Sequence, residues 1–176
     1  MIGYKVAIAC DKVKGPFFVV VTIDTLDSVI RTCGNKSRCE YAIVKDIAPY
    51  YPSDRPVSDE KYRKMTAYSI YELASYYNMS IAEWDWDKIH TDLIKTQYKV
   101  GDRVSCDYFV DAQEECAPGI HFFTSYDKLV SWIDDMYIFG SFPQRVLSML
   151  KVSWISQYLP NGVRALFDKI SGDYEL

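Results

Sequence analysis

Two apolar runs near the start of the chain constrain its fold most. Phe17 to Ile23 reads Phe-Phe-Val-Val-Val-Thr-Ile, a stretch of aromatic and β-branched side chains. Such side chains lose χ1 freedom in a helix and pack well on a pleated surface, so the run reads as a buried strand. Tyr4 to Cys10 sets Tyr, Val, Ile and Cys against Lys and Ala in alternation, the pattern of a second strand. Lys14-Gly15-Pro16 lies between them as a turn. An antiparallel hairpin is expected.

The rest of the chain is read in the same way. Asp24 to Arg38 is a polar connection with one short apolar stretch, Val29-Ile30. Glu40 to Ile47 reads as a third strand. Pro49, Pro52 and Pro56, with Ser53 and Asp54 between, form a loop. Ser58 is placed to cap a helix reaching about Asn78, with Tyr62, Met65, Ile70, Leu73 and Tyr77 on one face. The acidic, aromatic stretch from Ala82 to Asp87 carries no clear assignment. Tyr98 to Val110 reads as two short strands around a Gly101-Asp102 turn, and Gly119 to Phe123 as another strand. Thr124 and Asp127 form a capping-box-like start to a helix carrying Tyr126, Leu129, Val130 and Ile133.

After Gly140 the character changes. Ser141 can cap, Pro143 fits a first turn, and Val146, Leu147, Leu150, Trp154 and Tyr158 recur at helical spacing. Pro160-Asn161-Gly162 interrupts, and Val163, Leu166, Phe167 and Ile170 follow before Gly172. The fold class expected is α+β. A small, mostly antiparallel sheet packed by helices fills residues 1–140, and a helical C-terminal arm fills 141–176. From Ser141 to Ile170 it carries Arg145, Lys151, Arg164 and Lys169 against Asp168. Its five apolar positions from Val146 to Tyr158 are the candidate partner-binding residues, since buried aromatics dominate interface energetics. The partner expected is a protein, with peripheral membrane contact through the arm as the second option.

Composition narrows the function. An apolar fraction of 49% in 176 residues supports an ordinary core. A net charge of −4 argues against a protein that coats nucleic acid. No basic and apolar leader begins the sequence, and no run approaches the roughly 20 apolar residues of a membrane span, so a protein that is not secreted is expected. The five cysteines are then read as reduced thiols.

Chemistry-bearing residues are few. Cys33, Cys39, Cys106, Cys116 and His121 form the densest set, but zinc ligands usually pair two to four residues apart. Cys33 and Cys39 are separated by five residues, Cys116 and His121 by four, and buried thiols are the preferred reading. Cys39 or Cys116 with His121 or His90 is the available nucleophile–base pair. No nucleotide-binding glycine motif is present. No catalytic residue, metal or cofactor is assigned. Pro118-Gly119 makes a turn, Ile120 and Phe122 face one side of the following strand, and His121 could reach Cys39 or a backbone carbonyl and lock that turn.

Cys39-Glu-Tyr-Ala42, Tyr98-Lys-Val-Gly101 and Cys116-Ala-Pro-Gly-Ile-His-Phe-Phe123 together resemble a domain family of unknown function from large double-stranded DNA viruses, often found beside pentapeptide repeats. The likeness covers roughly residues 4–135. The chain departs from the family in lacking pentapeptide repeats and in continuing past Gly140. The resemblance implies a viral origin, a place in the virion or host cytoplasm, and a non-enzymatic assembly role, such as a minor capsid protein linking other capsid proteins. The alternatives are a zinc-stabilised adaptor for a host protein and a cysteine-dependent hydrolase.

Overall fold

A computed structural model describes residues 1–11, 15–50, 55, 57–70, 72, 94–111 and 117–138. Among these residues lie nine strands and two helices. The strands are β1 (Ile2–Asp11), β2 (Gly15–Asp24), β3 (Ile30–Cys33), β4 (Lys36–Cys39), β5 (Tyr41–Pro49), β6 (Ala67–Tyr68), β7 (Gln97–Tyr98), β8 (Arg103–Ser105) and β9 (Ile120–Phe122). The helices are α1 (Glu60–Arg63) and α2 (Tyr126–Ile138). None of the described helices is long and apolar enough to cross a membrane.

The expected hairpin is present: β1 and β2 pair antiparallel from Ile2↔Asp24 to Asp11↔Gly15. They are central in a six-stranded sheet ordered β7-β6-β1-β2-β5-β8. Centrality explains their composition, because both faces are covered. Val6, Ile8, Phe18 and Val20 are buried on one face, and Ala7, Ala9, Val19, Val21 and Ile23 on the other. The third expected strand is β5, which pairs with β2 and carries a bulge where the register shifts at Thr22/Ile23.

The α+β expectation is corrected: the described chain is mainly β, built as two antiparallel sheets. The second sheet, ordered β3-β4-β9, contains the segment that reads as a polar connection. Residues 30–39 form a hairpin there, with Cys33 opposite Lys36 across a two-residue loop. Gly34 takes φ 59° in that loop, which a glycine does without steric cost. Within the helix expected from Ser58 to Asn78, the described residues give one turn, Glu60–Arg63, capped by Asp59 rather than Ser58 through a 2.8 Å bond from the Lys61 amide; Ile70 and Glu72 are helical again, and residues 71 and 73–78 lie outside the described residues. Ala67 and Tyr68 instead add a strand to β1 at Ala9 and Ile8. Tertiary pairing outweighs the helical pattern here. The two strands around Gly101-Asp102 exist, and the turn closes with Asp102 donating to the Lys99 carbonyl at 3.0 Å. They do not pair with each other, because β7 joins β6 and β8 joins β5. The helix after Thr124 is α2, with Ser125 rather than Thr124 accepting the Lys128 amide at 3.3 Å. The helical arm expected over 141–176 lies outside the described residues.

Among the described residues one backbone bridge links the sheets. Tyr4 and Phe123 exchange backbone hydrogen bonds of 2.8 Å, linking β1 to the end of β9. Phe122, fully buried, lies against Gly3 so closely that a Cβ there would sit 2.9 Å from two ring atoms and closer still to a third. α2 packs beside this joint: Tyr126 meets the Tyr4 ring edge-on at 6.1 Å, and Trp132 lies 5.4 Å from Phe123.

Candidate functional site

Ala117 to Phe123 fold as a turn and a strand around His121. β9 pairs with β4 so that His121 stands opposite Arg38 and Ile120 opposite Cys39. Directly paired residues share a face and neighbours alternate, so His121 and Cys39 lie on opposite faces of this sheet. The nucleophile–base pairing of Cys39 with His121 is therefore absent. His121 reaches the other expected partner. Its Nε2 donates to the Ala117 carbonyl at 2.9 Å, closing the Pro118-Gly119 turn. A carbonyl only accepts, so the ring proton sits on Nε2. Burial holds the imidazole below its usual range, which disfavours imidazolium.

Replacing His121 with Ala should cost about 1–3 kcal/mol by leaving the Ala117 carbonyl unpaired. A pH signature accompanies the loss. The folded ring titrates below the ordinary 6.5, so the unfolded chain binds more protons as pH falls through that value. Native stability should therefore drop as pH falls from about 6.5 toward the lower folded value, and His121→Ala should abolish that slope. Urea melts at pH 5 and 7.5 measure both; an unchanged midpoint would refute the structural role.

The remaining thiols do not assemble. Cys39 is buried, its Sγ 3.9 Å from the Ile120 carbonyl, and burial pushes its pKa to about 12. Cys106 donates to the Glu40 carbonyl at 3.3 Å and is also pushed up by burial. Cys33 lies at the far end of the β3–β4 hairpin from Cys39. Among the described residues no three His, Cys, Asp or Glu side chains gather as metal ligands. Cys116 and His90 lie outside the described residues, as do the partner-binding candidates Val146, Leu147, Leu150, Trp154 and Tyr158.

Two cations that the sequence does not single out organise the region. Arg38 is only 3% exposed. Its Nη1 donates to the carbonyls of Val110 and Pro118, and its guanidinium lies 5.4 Å over the Phe109 ring. Arg31, on the same face, ion-pairs with Asp111. Together they hold residues 109–111 and 117–119 against the outer face of the second sheet. Gly119, at φ 151°, passes so close to Arg38 that a Cβ would sit 3.3 Å from the Arg38 Cβ. Lys5 lies on the inner side, donating to the His121 carbonyl at 3.1 Å with its Nζ 5.9 Å from the centre of the Tyr98 ring.

A different feature faces solvent. The β2–β3 connection turns through Thr25–Ser28, where the Ser28 amide donates to the Thr25 carbonyl at 2.9 Å. Leu26 takes the second position at φ 48° and is the sole non-glycine with positive φ among the described residues. A leucine there costs roughly 1–2 kcal/mol, because its Cβ crowds the following carbonyl. The turn is pinned nonetheless. Asp24 Oδ1 accepts the Leu26 amide at 3.1 Å, and the Met1 carbonyl accepts the Thr25 amide at 2.9 Å. Leu26 remains 53% exposed, with Val29 at 45% in the same connection and Ile2 at 43% on the paired strand. Compared with protein-family models, curated proteins and solved structures, the chain matches none.

Proposed function

We propose that this protein is a non-enzymatic binding component that links protein subunits. The observation that carries the reading is Leu26: a bulky aliphatic side chain held in a backbone conformation that disfavours it, and presented to water. Backbone strain that persists in a pinned turn is a functional signature more often than an accident of packing. Ile2, opposite Asp24, and Val29, three residues after Leu26, are exposed aliphatic residues near the same end of the β1–β2 hairpin. The chemistry around His121 and Cys39 supports the non-enzymatic side of the reading. The imidazole is engaged in closing a turn, and the buried thiol is far from thiolate. The motif ending in Phe123 supports the finer proposal, a minor capsid component of a large DNA virus with other capsid proteins as its partners.

The test uses Leu26→Gly. Glycine accepts the turn without strain, so the purified variant should melt as high as the native chain, or up to about 1 kcal/mol more stably. Mass spectrometry of purified virions should find the native chain and should find Leu26→Gly depleted by tenfold or more. Virions that lack the native chain would overturn the capsid proposal. Incorporation of the variant at native levels would overturn the role of the turn.

A further inference from the structure

β8 is the last strand on one side of the six-stranded sheet, and among the described residues no strand pairs with its outer edge. Its bonds to β5 run through alternate residues. Asp102 accepts the Val44 amide at 2.9 Å, and the Cys106 amide donates to the Glu40 carbonyl at 3.0 Å. The amides and carbonyls of Arg103 and Ser105 therefore point the other way, off the sheet. Both residues are exposed.

A cation stands on this edge. Arg103 is opposite Ile43 and Ser105 opposite Tyr41, so all four share one face. The Arg103 guanidinium lies 4.0 Å from the centre of the Tyr41 ring. The Tyr41 hydroxyl donates to Asp27 Oδ1 at 2.6 Å, which ties the ring to the turn that carries Leu26. Stacking covers one face of a planar guanidinium and leaves its N–H groups around the rim. Among the described residues the Arg103 side chain makes no hydrogen bond and no ion pair from that rim.

We propose that the outer edge of β8 takes an added strand from a partner protein, with an Asp or Glu side chain of that strand paired to Arg103. The proposal rests on the subunit-linking reading and gives it a second contact, beside the Leu26 turn. An unpaired edge offers backbone bonds to any extended segment, so side chains set the choice of partner. The added residue opposite Arg103 lies on the same face as the guanidinium, where an opposite charge stabilises and a like charge repels. A fork held flat on a ring is already oriented, and it matches a carboxylate through two parallel bonds. Charge favours a carboxylate over a phosphate. Asp27 lies within electrostatic reach of Arg103, so one cation with an acid nearby suits a monoanion better than a dianion. A second copy of this chain is disfavoured, because its β8 would bring another Arg103 to the same edge.

The probe is the peptide acetyl-Thr-Val-Glu-Val-Thr-amide, added to the full 15N-labelled chain. The same peptide with Gln in place of Glu and inorganic phosphate are the comparisons. The Arg103 and Ser105 amides and the Arg103 Nε–H should shift together on one binding curve. The Gln peptide should bind about tenfold more weakly, because charge-assisted bonds are the stronger ones. Arg103→Gln should bind the two peptides equally. Ser105→Pro removes an amide that β5 does not use, so it should fold and bind neither peptide. If Ser105→Pro fails to fold, the shift of the Ser105 amide in the native chain decides the matter. The proposal is overturned if the native chain binds neither peptide, binds both equally, binds phosphate more tightly than the Glu peptide, or shifts elsewhere than on β8. Self-association that shifts the same signals before peptide is added overturns it in favour of a second copy. Leu26→Gly should bind the Glu peptide as the native chain does. Intact peptide binding with normal virion incorporation of Leu26→Gly therefore sinks only the reading of the Leu26 turn, and absent peptide binding with depleted Leu26→Gly sinks only the added strand.

Discussion

Gly3→Ala is expected to cost about 3 kcal/mol, enough to unfold a marginally stable domain under mild conditions. In most strands a glycine is a weakness, and alanine would strengthen the chain by roughly 0.5–1 kcal/mol. Gly3 is different because the second sheet docks through it. The Phe122 ring is fully buried against its Cα, and an added Cβ would lie 2.9 Å from two ring carbons and nearer still to Cδ2. Neither side has room to yield. Gly3 pairs with Ile23 in the centre of the first sheet, and Phe122 pairs with Ser37 in the second. The clash therefore separates the sheets or distorts the Tyr4–Phe123 bridge beside it. A double-mutant cycle isolates the cause. Phe122→Leu weakens the core by itself, but it should absorb most of the penalty of Gly3→Ala. Equal penalties in the two backgrounds, read from urea midpoints, would show that the ring is not what excludes the methyl group.

Gly3 also shows what the sequence conceals. Its neighbours announce a strand, but nothing local says that a phenylalanine more than a hundred residues away needs its missing side chain. β1, β2 and β5 were legible because they are central or nearly so, and burial on both faces selects continuous β-branched runs. β3 and β4 were not. Arg31, Thr32, Lys36, Ser37 and Arg38 give that hairpin the polarity of a surface loop, yet Ser37 and Arg38 are buried. Ser37 is satisfied by Thr32 at 2.8 Å, and Arg38 by carbonyls that arrive from residues 110 and 118. Those partners are distant in sequence, so composition alone reads the segment as solvated. The expected helix after Ser58 is interrupted over residues 64–69 for a related reason. Tyr62 is at helical spacing from Met65, but the Tyr62 ring meets Phe17 edge-on at 5.9 Å, and the chain then turns to place Ala67 against Ala9. Of the candidate site, the turn locked by His121 was legible, because Pro-Gly followed by an apolar strand restricts where an imidazole can reach. The strained Leu26 was not: leucine is a poor left-handed residue, and only the hydrogen bonds around it reveal that it is held there.

Arg38→Ala is the other substitution expected to be severe, at about 3–5 kcal/mol. The cost has three sources. Two carbonyls, of Val110 and Pro118, lose a charged donor in a buried setting. The Phe109 ring loses the guanidinium stacked 5.4 Å from its centre. The volume left behind opens beneath Gly119, whose close approach was shaped to the Arg38 stem. Lysine should not rescue the position. A single ammonium on a flexible stem cannot reproduce a planar fork that bonds carbonyls while stacking on a ring. Arg38→Lys is therefore expected to recover less than half of the loss. Two measurements separate this account from a general weakening of the core. Urea midpoints should fall for both variants. Chymotrypsin should also cut at Tyr108 and Phe109 under conditions where the native chain and an equally destabilised core variant, such as Ile47→Ala, stay intact there. If cleavage at those two sites merely tracks global stability, Arg38 is a buried structural cation like any other, and the segment around Phe109 is not held in place by it.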